Sequence, residues 1–405
     1  MRWYLDGPTG NVVNNRSFTA SDAQSIGGNP VLRLPAGDYT LTVSGSGDTT
    51  GGYQFQLLDL AAALALTPGT PVSDTLNPAN ATKAYQFTAA AGDLYFFPYL
   101  GSSGLNNTWW RLIDPYNNII FGQPFNSSVG TNSLSAAGTY TVLIEGYIGD
   151  NGVGTYGFNV QPAGNVPPTT FTGTPLTIGS LVSGTLAADA NTDAYTFTLG
   201  GSANLYFDAG TGFNVNFRWS LRGPAGLAVN SRSFLNSDGA DITDPLLALP
   251  AGSYQLTVTG ATGTYKFALL NFTNAAVFAP GTMVSNTLSP ANSTVFYQFN
   301  GNAGDRYYFN GQPTSGFSQT PYCRLYAPLG NIVMAQNINA DVDTFTLPQT
   351  GTYTVTVEGR VFDNNASGNY AFPSAARSAT RFRRPASAMS IPSRCPRRRR
   401  FTLTR

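Results

Sequence analysis

One phrase, written four times, sets the terms for this 405-residue chain. It reads "YLDGPTGN" at 4–11, "LIDPYNNI" at 112–119, "SLRGPAGL" at 220–227 and "LYAPLGNI" at 325–332, with Pro8, Pro115, Pro224 and Pro328 spaced 107, 109 and 104 residues apart. A second phrase follows each: "LPAGDYTLTVSG" (34–45), "SAAGTYTVLIEG" (135–146), "LPAGSYQLTVTG" (249–260) and "LPQTGTYTVTVEG" (347–359). A third precedes the last three copies: "VSDTLNPANATKAYQF", "VSGTLAADANTDAYTF" and "VSNTLSPANSTVFYQF", beginning at 72, 182 and 284. Self-similarity at a fixed spacing means one folding unit used again and again. The finer likeness joins copy one to three and copy two to four, so a doublet of about 213–216 residues is itself repeated.

Inside each copy the period is two. In "YTFTL" (195–199), "YQLTVTG" (254–260) and "YTVTVEG" (353–359) apolar residues alternate with Thr, Gln or Glu, which puts one strand face in a core and one in water. Aromatics make up 13% of the chain and charged residues only 11%, too few to wet the outer faces of long helices. Gly (44) and Pro (26) supply turns at short intervals. The expected fold is all-β, a tandem of jelly-roll-like antiparallel β-sandwiches at 64–161, 176–272 and 278–373, with a truncated repeat at 1–58. Residues 162–175 read as an extended linker, and the joints at 59–70 and 271–282 as shorter and stiffer.

Met1 aligns with Phe217, and "MRWYLDGPTGNVVNNRSF" matches "FRWSLRGPAGLAVNSRSF" at 11 of 18 positions. The first copy therefore lacks a counterpart of residues 176–216, as if cut from a longer array. Half a core and open strand edges predict local instability or association through that edge. Beyond 373 the patterning stops. Residues 374–405 hold ten Arg and no acid, against 21 acidic and 12 basic residues in 1–373. The tail reads as disordered, and a bare charge run does not make nucleic acid an expected partner.

These motifs resemble the bacterial pre-peptidase C-terminal domain family. The resemblance rests on "SGTL…TDAYTFTL", "LYFD", the W-x-L-x-x-P-x-G turn and "LPAGSYQLTVTG…GTYKFAL", and covers nearly all of 1–373. It implies β-sandwich modules accessory to large secreted or surface proteins, often beside peptidases, some of them binding calcium or matrix polymers. A catalytic domain does not accompany the modules here.

For chemistry of its own the sequence offers little. Histidine is absent, which removes Ser–His–Asp and Cys–His machinery, and no GxSxG, HExxH, Walker or dinucleotide motif occurs. Acids change identity between copies: Asp59 becomes Asn271 and Asp74 becomes Asn286. No enzyme is expected. Copies two and four share "EGYIGDNGVGTYGF" (145–158) and "EGRVFDNNASGNYAF" (358–372), where Glu145 with Asp150, and Glu358 with Asp363, offer part of a calcium shell or a polar hairpin turn. Asp238, Asp241 and Asp244 form a weaker acidic loop, of which copy one keeps Asp22. Trp3, Trp110, Trp219 and Cys323 share one repeat position and are expected in the core. By alternation Trp109 points outward beside Arg111, to stack on a ligand or cover a neighbouring domain. Cys395 has no evident partner in the tail.

The functional expectation is a non-catalytic fragment of an extracellular or cell-surface array, acting as spacer, adhesive or binding modules. Its partners would be neighbouring repeats of a longer protein and an extracellular polymer or surface. The alternatives are the accessory region of a secreted peptidase or other hydrolase, and a calcium-stiffened stalk. No signal peptide is visible, and no apolar run reaches spanning length: "LLDLAAALAL" (57–66) is about half of what a bilayer needs.

Overall fold

The computed structural model describes residues 1–45, 51–167, 170–187, 191–210, 216–260, 262–376 and 400–403. Repeat three shows the architecture in full. Its eight strands, in chain order, are Leu181–Leu186, Asp193–Leu199, Ala203–Ala209, Arg218–Gly223, Gly226–Ser233, Leu246–Leu249, Gly252–Thr259 and Gly263–Asn271. The second, seventh, fourth and fifth make one sheet in that order, and the first, eighth, third and sixth the other. This interleaving is that of a jelly roll. The two-residue strand Thr174–Pro175 adds a parallel edge against Tyr195–Thr196. Repeat four has the same order in both sheets. In repeat two the third strand is interrupted at Pro98 and the eighth at Asn159–Val160, so its second sheet becomes two three-stranded sheets. The fold is all-β, as the period-two patterning predicts.

Sequence alternation places the core. In Gly252–Thr259, Tyr254, Leu256 and Val258 are buried while Ser253, Gln255, Thr257 and Thr259 face outward. Trp110, Trp219 and Cys323 are fully buried, as expected from their shared repeat position. Burial also pushes the Cys323 thiol well above its usual range, so it packs as an apolar group. Trp3, at the same position in repeat one, is half-buried.

The two sequence phrases recur together because they touch. At Gly37, Gly138, Gly252 and Gly351 the backbone has φ of +151°, +141°, +141° and +148°, and a Cβ there would lie 2.2–2.8 Å from Cγ of Pro8, Pro115, Pro224 and Pro328. Two residues after each glycine a tyrosine hydroxyl closes the turn by donating to the carbonyl four residues upstream. These are Tyr39 to Pro35, Tyr140 to Ala136, Tyr254 to Pro250 and Tyr353 to Gln349, at 2.6–2.8 Å.

A second polar feature sits within each complete core. Tyr85 meets Tyr156, Tyr195 meets Tyr265 and Tyr297 meets Tyr370, hydroxyl to hydroxyl, at 2.5, 2.7 and 2.6 Å. Tyr85 also donates to Asp74 and Tyr265 to Asp193, whereas Asn286 donates to Tyr297. A hydroxyl pair has a lone pair and a proton to spare, so it accepts either a carboxylate or an amide neighbour, which explains how Asp74 and Asn286 exchange. Asp59 and Asn271 exchange for a similar reason. Each caps a short 3₁₀ turn, accepting from the N–H two residues on at 3.0 Å. Replacing Tyr265 by Phe leaves Asp193 and Tyr195 short of a partner, and is expected to cost about 1–3 kcal/mol in denaturant unfolding.

The chain divides into two compact units, Met1–Thr170 with Arg394–Arg405, and Phe171–Ser393. Each holds one doublet. Of the expected linker at 162–175, the outer portions belong to the flanking sandwiches. Gln161–Asn165 pairs with Asp93–Phe96, and Thr174–Pro175 joins repeat three, because both find ladder partners. Repeat one contributes Arg2–Gly7, Gly10–Ser17 and Tyr39–Ser44, the counterparts of the fourth, fifth and seventh strands. Of the basic tail, 374–376 end a strand of repeat four, and Arg400–Leu403 runs antiparallel to Tyr39–Thr42. Cys395 and the rest of 377–399 lie outside the described residues.

Candidate functional site: the buried junction within each doublet

The second repeat of each doublet has a strand whose outward side is not in water. Gly138–Glu145 and Gly351–Glu358 are buried on both faces toward their C-terminal ends, whereas Gly252–Thr259 in repeat three alternates. The covering material is the first repeat. In the second doublet, Phe272 and Ala275 from the joint pack with Tyr206 of repeat three and with Phe296 and Tyr326 of repeat four. In the first doublet the equivalent layer is aliphatic: Ala84, Ile113 and Leu143 of repeat two meet Val31, Leu60 and Ala63. Short parallel strands, Leu64–Ala65 and Ala276–Val277, tie each joint to the second repeat's sheet.

An ion pair lies in each layer. Arg111 donates to Glu145 and Arg324 to Glu358, all four side chains being no more than 4% exposed. Each arginine also reaches across to the first repeat. Arg111 donates to the Ala23 carbonyl at 2.6 Å, and Arg324 to the Gly239 carbonyl at 2.8 Å and to that of Ile242. Ala23 and Gly239 are equivalent positions in the doublet alignment, so the same bond is made twice. Two adjacent strands present the pair: Leu143 stands opposite Arg111, and Thr356 opposite Arg324.

The second doublet adds acids. Glu358 also accepts from the Tyr206 hydroxyl at 3.0 Å and from Thr356. Asp208 accepts from the N–H and hydroxyl of Thr294, and Asp238 from the Ala209 N–H at 2.7 Å. Oδ1 of Asp238 is buried without a hydrogen-bond partner. Burial pushes the Asp208 carboxyl up to about 7 and Asp238 well above the usual range, where Asp208 and Glu358 repel its charge further. Burial raises Glu358 too, against the pull of Arg324. In the first doublet burial lifts Glu145 to about 7 and Asp22 to about 6, both opposed by Arg111.

The expected calcium ligands therefore occupy separate places. Glu145 and Glu358 are held by arginine, while Asp150 and Asp363 clamp a different loop. Asp150 accepts from the N–H and side-chain amide of Asn106, and Asp363 from the N–H groups of Ser318, Gln319 and Asn365. Each carboxylate has protein donors of its own, and no group of three or more acidic or Cys side chains among the described residues could hold a metal ion. Trp109 is half-buried, with the Arg111 guanidinium 5.9 Å from its ring centroid, and so borders the junction. Of the acidic loop, Asp238 turns inward, Asp241 pairs with Arg360 at 3.0 Å, and Tyr326 donates to Asp244 at 3.4 Å.

Sequence reasoning placed Arg111 beside Trp109 but assigned no partner to it. A signal was there to read. Arg and Glu occur together at these positions in repeats two and four, where repeats one and three have Tyr4 with Ser44 and Ser220 with Thr259. Chemically the junction can hold two successive repeats together. Glu145, Glu358, Asp208 and Asp238 are at most 8% exposed, whereas Asp22 and Asp241 are half-buried and Asp244 is exposed.

No protein-family model matches the chain, and no curated protein matches it. Among solved structures it is similar to a chain of the lipid-containing bacteriophage PM2 (10% identity, TM-score 0.14), covering 76% of this chain and 88% of that one. It is also similar to Lac15 from a marine microbial metagenome (10% identity, TM-score 0.13), covering 70% of this chain and 84% of that one. Among the described residues no helix is long and apolar enough to cross a membrane.

Proposed function

We propose that this chain is a non-catalytic array of β-sandwich modules from an extracellular or cell-surface protein, and that it works as a spacer whose rigid element is the doublet. The observation that carries this reading is the recurrence of the buried arginine–glutamate pair bonded to the backbone of the preceding repeat. A flexible string of domains needs no such bond. Interfaces within a chain are ordinarily polar and permit motion unless large and apolar, and here an apolar layer and a charge-assisted lock act together. Linked modules also gain avidity from weak contacts, which suits display or adhesion. The resemblance to the pre-peptidase C-terminal family agrees with an accessory role.

The test is a distance measurement. Spin labels on exposed positions of repeats three and four, Lys266 and Arg306, should give a single narrow distribution by double electron–electron resonance. A distribution as broad as that of two freely linked domains would remove the rigid-spacer reading. Turnover of peptide or polysaccharide substrates by the purified chain would remove the non-catalytic one.

A further inference from the structure

In repeats three and four the first long strand lies at the rim of its sheet and is bonded on one side only. These strands, Leu181–Leu186 and Met283–Leu288, each lie next to the last strand of their own repeat. The pairing is antiparallel. Leu181 stands opposite Ala268 and Leu186 opposite Gly263, while Met283 stands opposite Pro373 and Leu288 opposite Gly368. The chain therefore enters and leaves each repeat at the same end of this ladder, with paired residues roughly 5 Å apart. Outward, Leu181, Ser183 and Thr185 are exposed, as are Met283, Ser285 and Thr287. Inward, Leu186 and Leu288 are fully buried, with Val182 and Val284 half-buried in the same cores. Beyond these shared contacts the two strands differ. In repeat four the Asn286 amide donates to the Tyr297 hydroxyl at 3.0 Å, and the Thr287 hydroxyl donates to Asn369 at 2.7 Å. Repeat three has Gly184 in the place of Asn286, where a Cβ would lie 2.3 Å from Cζ of Tyr265. Among the described residues, no side chain of Leu181–Leu186 makes a hydrogen bond or an ion pair.

We infer that repeat three is the load-limiting element of its doublet: tension along the chain strips Leu181–Leu186 from its rim bond by bond, and the repeat extends while repeat four holds. The inference rests on the spacer reading, since a spacer bears load between its ends. Bonds of an antiparallel ladder lie across the strands, so force applied to both strands from one end falls on the outermost bond first. Each repeat has the same short anchor ahead of this strand, Thr174–Pro175 or Ala276–Val277, so the anchor does not rank them. The side-chain ties do. Once Leu181–Leu186 has left, the core that Leu186 closes is open to water, and the rest of the repeat follows as one cooperative unit. About 90 residues at roughly 3.3–3.6 Å each then supply about 300 Å of new length. A series built this way lengthens in steps under load before its attachments are lost.

The experiment is single-molecule pulling on the full 405-residue chain, through bio-orthogonal handles placed in pairs. Handles at Ser180 and Asn274 load repeat three from its own ends, and handles at Ala279 and Ala376 do the same for repeat four. Handles at Leu181 and Thr264 grip opposite ends of the repeat-three ladder and load its bonds together. Forced opening reads the unfolding barrier, so this third pair should need about twice the force of the first, or more. Repeat four should need about 1.5-fold more force than repeat three when each is pulled from its ends. Asn286→Ala, at an exposed position, should bring repeat four down toward repeat three and leave repeat three unchanged. Equal forces for the Ser180–Asn274 and Leu181–Thr264 pairs would overturn the inference, because the ladder would not be what yields. So would a repeat four that opens at or below the force of repeat three, or one that ignores Asn286→Ala. A broad spin-label distribution at rest would remove the rigid spacer and leave these forces as they are, so the two readings fail separately.

Discussion

Arg324→Ala is expected to destabilise the second doublet by about 3–5 kcal/mol, because it leaves Glu358 buried without its counter-charge. Glu358 is fully buried and keeps Tyr206 and Thr356 as donors, but neither neutralises a carboxylate. The same change also strips the Gly239 and Ile242 carbonyls of a donor. Denaturant unfolding read by hydrogen exchange, which assigns each amide to its own repeat, measures the effect. The loss should appear in repeats three and four together. The paired replacement Arg324→Met with Glu358→Leu should recover most of it, since an apolar pair of similar volume needs no counter-charge. A cost below about 1 kcal/mol for Arg324→Ala would mean that water reaches the junction and the lock is weak. Arg111→Ala should act with the same sign on the first doublet.

Acidifying from pH 8 to pH 5 is expected to raise the melting temperature of the second doublet, contrary to the usual effect of acid on paired carboxylates. Asp208, Asp238 and Glu358 share the site with Arg324, and Asp241 with Arg360 lies beside them. The three buried acids have pKa values raised on folding. A raised carboxyl stabilises the fold fully below its unfolded pKa of about 4, and that stability is lost as pH rises through the folded value. For Asp208, titrating at about 7, linkage makes this on the order of 4 kcal/mol across the window from about 4 to 7. Calorimetric melts at half-unit pH steps read it directly, and Asp208→Asn should flatten the slope. A melt that is flat or that falls on acidification would show these acids to be ionised and solvated in the fold. The first doublet is expected to show a shallower profile. There Glu145 and Asp22 act in the same direction, but Asp74 opposes them: against the pull of burial, bonds from Lys83 and Tyr85 hold it below its usual range.

Much of this was legible in the sequence because it is local. Alternation in "YQLTVTG" and its relatives places each residue on a face, and the paired Pro and Gly phrases mark a contact made in every copy. Trp110, Trp219 and Cys323 could be assigned to the core on the same logic. What alternation cannot give is which outer face meets another domain. Glu145 and Glu358 end strands on the side that period two assigns to water, which left a polar hairpin turn or part of a calcium shell as the readings open to the sequence. They are buried instead because the preceding repeat folds onto that side, a fact held in residues more than 80 positions away. The exchange of Asp59 for Asn271 and of Asp74 for Asn286 was likewise opaque until the cap and the hydroxyl pair showed that either side chain suffices.

The junction makes odd and even members of the series unlike. An even repeat carries Arg and Glu where it meets its predecessor within the doublet, and an odd repeat carries Tyr with Ser, or Ser with Thr, at the same positions. Copying or deleting one repeat would therefore either strand a buried charge pair in water or seat a polar face against nothing built to receive it. Copying two leaves each junction within a doublet intact. Length in such a series is a quantity with parity, and selection acting through stability alone would admit changes in steps of two.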